Sequence, residues 1–356
     1  MIKLLTSFIG VLASALSLQV GAGEPSLRDL MPKGVLVGAA VNQMQSDGRD
    51  GPATAIVASQ FNTITPENIL KWQNVHPAPD RFAFDAADRY VDFGEAHGME
   101  VIGHTLVWHQ QTPAWIFAGR NGRPADRDTV LDRLRDHIHT VVGRYRGRIH
   151  GWDVVNEALN DDGSLRKTVW LDAIGDDYIA KAFELAHDAD PRAELYYNDY
   201  DLWRPAKRAA ALRIVRQLRD RGLRIDGVGE QSHWKLETPT VPEIDATIAD
   251  ISGAGVKPML TELDVDVLPP AANPYTNGLP QPIHQQLGRR YADIFRLVVK
   301  HRDELARVTF WGVSDADSWL NNFPARGRTN YPLLWDRQRL PKPAFAAVVE
   351  VLATLR

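Results

Sequence analysis

Residues Ile149–Glu157 read IHGWDVVNE, a short apolar run that stops at an amide and a carboxylate. Upstream, Val130, Leu131, Leu134, Ile138, Val141 and Val142 fall on one helical face. The stretch therefore reads as helix, then strand, with the reactive side chains held at the strand's C-terminal end. The same unit recurs along the chain. Strands are expected at Val35–Val41, Phe61–Thr65, Glu100–Leu106, Ile149–Asn156, Glu194–Asn198, Gly227–Gln231, Lys257–Leu263 and Arg307–Val313. Between them, Ile244, Ile248 and Ile251 share a face behind Thr240-Val-Pro-Glu243, a capping box with proline in the first turn. Leu212, Val215 and Leu218 precede Gly222, a C′ glycine, and Pro343–Leu355 closes the chain as a helix. Eight strands alternating with about eight helices predict a (β/α)8 TIM barrel in a single domain. The alternative is an open doubly wound sheet, but neither G-x-G-x-x-G nor G-x-x-x-x-G-K-[ST] occurs.

Composition narrows the function. The 356 residues carry 41 Lys+Arg against 45 Asp+Glu and contain no cysteine. That excludes disulfides, thiolate metal sites and a cysteine nucleophile. A near-neutral charge balance argues against a nucleic-acid partner, which needs a basic face. Residues 1–22 place Lys3 before a mostly apolar stretch from Leu4 to Val20, then Val20-Gly21-Ala22 as a small-x-small site. They read as a cleaved signal peptide, with 23–356 the catalytic barrel. The stretch is interrupted by Thr6, Ser7, Ser14, Ser17 and Gln19, so no membrane anchor is expected after cleavage. The protein is expected to be exported, either secreted or periplasmic.

A barrel concentrates function at the C-terminal ends of its strands. Polar and aromatic groups gather there: Glu67, Asn68, Lys71 and Trp72 after the second strand; His104, Trp108, His109, Gln111 and Trp115 at the third. Asn156-Glu157 ends the fourth, Asn198-Asp199-Tyr200 the fifth and Glu230-Gln231-Ser232-His233-Trp234 the sixth. Thr261-Glu262-Leu263-Asp264 ends the seventh, and Trp311, Asp315, Asp317 and Trp319 follow the eighth. Singly, each has a bland reading as surface charge, satisfied histidine or core indole. Their coincidence on one rim does not. Of the ten tryptophans, Trp72, Trp108, Trp115, Trp203, Trp234, Trp311 and Trp319 fall at or just after strand ends. They are expected to surround the cleft, with Trp108, Trp311 and Trp319 touching the substrate.

Two carboxylates at strand ends across a barrel mouth suit glycosidic bond cleavage, and Glu157 and Glu262 are the pair best placed for it. The nucleophile must stay ionised, and His233 between Glu262 and Asp264 would hold it so. The acid must carry its proton at rest; that role falls to Glu157. Asn156 beside it suits a sugar 2-hydroxyl.

As a set, these blocks resemble glycoside hydrolase family 10, the endo-β-1,4-xylanases. They are TPEN with Lys71-Trp72, GHTLVWHQQTPAW (Gly103–Trp115), WDVVNE (Trp152–Glu157), DGVGEQSHW (Asp226–Trp234), TELDV (Thr261–Val265) and TFWGVSDADSW (Thr309–Trp319), with PLLWD (Pro332–Asp336) near the end. The resemblance spans roughly residues 26 to 356. It implies Glu157 as acid/base and Glu262 as nucleophile, supported by His233 and Asp264, acting with retention and without a cofactor. It implies that Lys71, His104, Asn156, Gln231 and Trp311 line the subsite of the sugar to be cleaved. Glu67, Asn68 and Gln111 would bond the next xylose, and Trp108 and Trp319 would wall those subsites; Tyr200 joins the binding set. Xylan or xylo-oligosaccharide is the implied substrate and a monomer the implied state. Two positions depart from the pattern. Glu230 stands where many relatives carry an apolar residue, and strand alternation points it away from the face of Gln231 and His233. Leu320 stands where some relatives carry arginine.

Three rivals remain. A metal-dependent hydrolase would want H-x-H or H-E-x-x-H at a strand end; H-E-x-x-H does not occur, and the one H-x-H, His137-Ile138-His139, falls in the helical stretch that begins at Val130. A binding protein without chemistry would lack one carboxylate, and both are present. A β-glucan-cleaving relative shares the two glutamates; the blocks around Lys71, Trp108 and Trp319 speak for xylan.

Overall fold

The computed structural model describes residues 26–269 and 272–354. The signal-peptide reading of residues 1–22 lies outside them. Eight parallel strands form the barrel: β1 (Leu36–Val41), β2 (Thr63–Pro66), β3 (Glu100–Val107), β4 (Gly151–Asn156), β5 (Glu194–Asp199), β6 (Gly227–Glu230), β8 (Lys257–Asp266) and β9 (Arg307–Phe310). They pair in chain order, β6 with β8 and β9 back to β1, so the sheet closes and has no free edge. Every predicted strand is present, with ends shifted by a few residues.

A ninth strand was not predicted. β7 (His233–Lys235) pairs with the end of β8, His233 opposite Asp264. It exists because β8 runs ten residues, past the barrel rim. That overhang gives the loop after β6 a ladder that no local pattern announces.

Each barrel strand is followed by a long helix: Gly51–Gln60, Asp85–Ala96, Arg127–Arg144, Tyr178–Ala189, Pro205–Asp220, Val241–Gly253, Gln281–Lys300 and Pro343–Ala353. Their ends obey the chemistry of the sequence. The Glu243 carboxylate accepts both the Thr240 N–H (2.7 Å) and its hydroxyl (2.8 Å), completing the reach-back of the capping box. Gly222, two residues past Asp220, takes φ +73°, the left-handed turn that ends a helix. The expected apolar face of Arg127–Arg144 is buried at Val130, Leu134, Ile138, Val141 and Val142. His137, on the same face, is buried too.

The core lies between barrel and helices. Gly103 is required there: a Cβ would come within 2.0 Å of the Trp152 ring. Inside the barrel, buried Asp153 pairs with His104 at 2.9 Å, with the Arg307 guanidinium 3.6 Å away. Among the described residues, no helix is long and apolar enough to cross a membrane.

Candidate active site

At the C-terminal ends of the strands lies a cleft of about 650 Å³. Glu157 and Glu262 both line it, from β4 and β8, with β5 and β6 between those strands. Glu157 is the first residue past β4 and sits at φ +58°. Non-glycine residues rarely adopt that conformation, and they cluster at functional sites. Gln111, Asp201 and Ser232, on other strand-end loops, share it.

The two carboxyls are joined by a buried amide chain. Asn156 Nδ2 donates to Glu157 Oε1 (3.2 Å), Asn198 Nδ2 donates to Asn156 Oδ1 (2.9 Å), and Asn198 Nδ2 also donates to Glu262 Oε1 (2.8 Å). Thr261 Oγ1 donates to Asn198 Oδ1 (2.6 Å) and so fixes which end of that amide faces Glu262. Gln231 Nε2 reaches both Asn156 Oδ1 and Glu157 Oε1 at 3.2 Å. Neighbouring register explains this: Asn156 and Asn198 are cross-strand partners on β4 and β5.

His233 bridges two carboxylates. Its Nε2 lies 3.1 Å from Glu262 Oε2 and its Nδ1 lies 3.1 Å from Asp264 Oδ1. Burial opposes a charged imidazole, but Asp264 and then Glu262 outweigh it and push its pKa up to about 10. Burial would also neutralise Glu262. The hydrogen bond from His233, with the charges of His104, His233 and Lys71, holds it below the usual carboxylate range instead. Asp264 lies behind His233 rather than in the cleft wall, and the Trp319 indole N–H donates to its Oδ2 at 2.8 Å.

The opposite wall is polar. Asn68 Oδ1 accepts from Lys71 Nζ (3.1 Å) and from Gln111 Nε2 (3.2 Å). Lys71 Nζ also sits 4.8 Å over the Trp108 ring. Burial lowers the Lys71 pKa against the pull of Glu262, Glu67 and Glu157. Burial raises that of Glu67 against Lys71. His104 turns Nδ1 to Asp153, leaving Nε2 for the cleft. Trp311 stands edge-on to His104 (5.3 Å) and His233 (6.2 Å).

Glu67, Asn68, Lys71, His104, Trp108, Gln111, Asn156, Glu157, Tyr200, Gln231, His233, Glu262, Trp311 and Trp319 therefore share one cleft. The wider expectation for tryptophan needs correction. Only Trp108, Trp311 and Trp319 of the seven rim candidates line it. Trp72 is buried, stacked on His137 at 3.5 Å, its N–H on the Leu106 carbonyl, with Trp115 packed against it. Trp234 is buried beside Arg290, and the Trp203 N–H donates to Asp201 at 2.9 Å. Position after a strand end does not say which way an indole turns; large apolar area sends most inward.

Three residues have site roles that the sequence pattern does not announce. The sequence places Asn198 at a strand end without marking it as the link between the carboxyls; its register with Asn156 is the signal. Arg166 enters the cleft from an irregular loop and bonds the Tyr200 hydroxyl at 2.6 Å. Phe323 stacks on Trp319 at 4.8 Å while half exposed. Neither has a periodic pattern to betray it. Among the described residues, no group of three or more His, Asp or Glu is arranged to hold a metal ion.

Comparison with known proteins gives concordant matches. The model of the glycosyl hydrolase family 10 matches residues 26–351. Endo-1,4-beta-xylanase A of Xylanibacter ruminicola is 40% identical over 349 residues, covering 93% of this chain and 95% of that protein. An endo-1,4-beta-xylanase of Geobacillus stearothermophilus is 42% identical, covering 92% and 98%. Among solved structures, a GH10 endoxylanase from a sugarcane soil metagenome superposes with a TM-score of 0.89 at 43% identity, covering 92% of this chain and 99% of that one. Xylanase XynB of Paenibacillus barcinonensis, complexed with a conduramine derivative, gives 0.87 at 40% identity, covering 92% and 99%.

Proposed function

The chain belongs to glycosyl hydrolase family 10, and from that premise we propose that it is an endo-β-1,4-xylanase cleaving internal bonds of xylan with retention of configuration. The observation that carries the reading is the asymmetry of the two carboxyls. Glu262 is held ionised by His233, whereas Glu157 is contacted by the neutral amides of Asn156 and Gln231. One is set up as nucleophile, the other as proton carrier.

In the first step Glu262 attacks the anomeric carbon as Glu157 gives its proton to the departing glycosidic oxygen. The sugar is left as an ester on Glu262. In the second, Glu157, now a carboxylate, takes a proton from water. That water attacks the same carbon and frees Glu262. Two inversions give net retention, which requires carboxyls roughly 5–5.5 Å apart. Asn156 is assigned to the 2-hydroxyl, where its bond strengthens as charge develops. Lys71, His104, Gln231 and Trp311 hold the same sugar; Glu67, Asn68 and Gln111 hold the next. Trp108 and Trp319 crowd the space a hydroxymethyl group would need, which favours xylose over glucose. No cofactor takes part. Residues 1–22 are assigned to an export leader and 23–356 to the catalytic domain, working as a monomer outside the cytoplasm.

The decisive experiment compares reducing-sugar release from xylan and cellulose and follows the first-formed anomer by NMR. Faster release from xylan, with the β-anomer appearing first, is expected. Equal or faster release from cellulose would overturn the substrate; an α-anomer first would overturn the mechanism.

A further inference from the structure

Glu230 ends β6 and is only 1% exposed, yet it does not line the cleft. Its Oε1 accepts the Ser232 N–H at 3.1 Å, and its backbone carbonyl accepts the Ser232 hydroxyl at 2.9 Å. Its Oε2 is buried with no hydrogen-bond partner among the described residues. Ser232 itself sits at φ +66°, a conformation that residues with a Cβ resist. This one residue turns β6 into β7. Gln231, whose amide bonds Glu157, precedes it, and His233, which bonds Glu262, follows it. The Ser232 carbonyl accepts the Asp264 N–H at 3.3 Å.

We propose that Glu230 is a positioning residue for the reaction: it staples the strained Ser232 turn and thereby aims Gln231 at Glu157 and His233 at Glu262. The inference rests on reading those two glutamates as the reacting pair. A buried carboxyl costs free energy that the apolar residue of many relatives would not, unless it bonds, and here its bond goes to Ser232. Asp201 and Lys207 are the charged groups that act on it. Lys207 is already engaged by Asp199 at 3.0 Å, and Asp199 is Glu230's cross-strand partner. Burial, helped by Asp201, pushes the Glu230 carboxyl up to about 7 against the pull of the Ser232 N–H and Lys207. An ionised carboxylate grips an N–H harder than a neutral acid does. The turn is therefore held more firmly above that pH than below it.

The test uses Glu230→Leu and Glu230→Gln, each with and without Ser232→Gly, since glycine takes positive φ freely. With an aryl β-xylobioside, Glu230→Leu is expected to lower kcat roughly tenfold with KM little changed. Ser232→Gly should restore most of that loss. Glu230→Gln should keep part of the activity but lose an inflection of kcat near pH 7. Nitrogen NMR of His233 in the substrate-free protein should show its pKa lowered in Glu230→Leu. Unchanged kcat and pH profile in Glu230→Leu would overturn the proposal. So would a loss that Ser232→Gly does not recover while His233 titrates as before. If the wild-type chain leaves xylan and the aryl xylobioside intact, the proposed function falls, and the His233 titration alone then decides on Glu230.

Discussion

His233 Nε2 stands 3.1 Å from Glu262 Oε2, and the far side of the same ring is held by Asp264. The imidazole stays charged because it has two anions, and Glu262 stays charged because of the imidazole. Asp264→Asn removes one anion. The His233 pKa falls from about 10, its grip on Glu262 weakens, and Glu262 titrates higher. Because the nucleophile must be ionised, the acid limb of the kcat/KM profile moves to higher pH. A pH–rate series from 3 to about 8 reads this; an unmoved acid limb would count against the bridge.

The two carboxyls should fail differently. Glu262→Ala removes the proposed nucleophile and should abolish turnover of every substrate. Glu157→Ala removes proton donation, worth roughly 10²–10⁴-fold, so it should cripple xylan cleavage far more than release of an activated aryl leaving group that needs no proton. Parallel kinetics on xylan and a dinitrophenyl xylobioside separate the two roles. Equal losses on both substrates for Glu157→Ala would contradict its assignment.

Trp319 is tied down twice, by its N–H on Asp264 and by Phe323 stacked on its ring. On the proposed function, Trp319→Ala opens space at the cleft wall where a hydroxymethyl group would otherwise be excluded. A pocket discriminates one small group by about 10–200-fold, so the xylan-to-cellulose rate ratio should fall by at least tenfold within that range. A ratio unchanged in the variant would move selectivity elsewhere.

In the core, His76 Nδ1 faces His137 Nδ1 at 3.2 Å, and His137 is stacked on Trp72. Burial holds the His76 pKa below its ordinary value and that of His137 well below it. The folded protein thus binds fewer protons than the unfolded chain, whose histidines titrate near 6.5. Their stabilising contribution is complete above about pH 6.5 and is lost as pH falls below it, by up to about 1.4 kcal/mol per pH unit for each proton taken up on unfolding. Urea unfolding at several pH values should show the slope, and His137→Phe should flatten it. A raised Glu230 pKa has the opposite sign: its contribution is complete below the ordinary glutamate value of about 4.3 and is lost as pH rises from there to about 7.

The barrel could be read from the chain because its cause is periodic. Short apolar runs between helical faces, such as Ile149–Asn156 after Val130–Val142, admit few other architectures. Glu157 and Glu262 could be read because barrel geometry puts strand ends on one rim, so sequence position translates into place. Arg166 and Phe323 could not, since both come from irregular loops whose path depends on distant packing.

The sequence by itself determined the closed barrel and the rim on which Glu157 and Glu262 meet in one cleft. Tertiary structure alone decided how those groups are held. It set Asn198 as the link between the carboxyls, turned Trp72, Trp115 and Trp234 away from the cleft, and gave Ser232 its left-handed turn with Glu230 behind it. The reason is range. Patterning acts between residues three or four apart or on alternate positions, whereas a hydrogen bond such as Asn198 to Glu262 spans 64 residues and forms only once the sheet has closed.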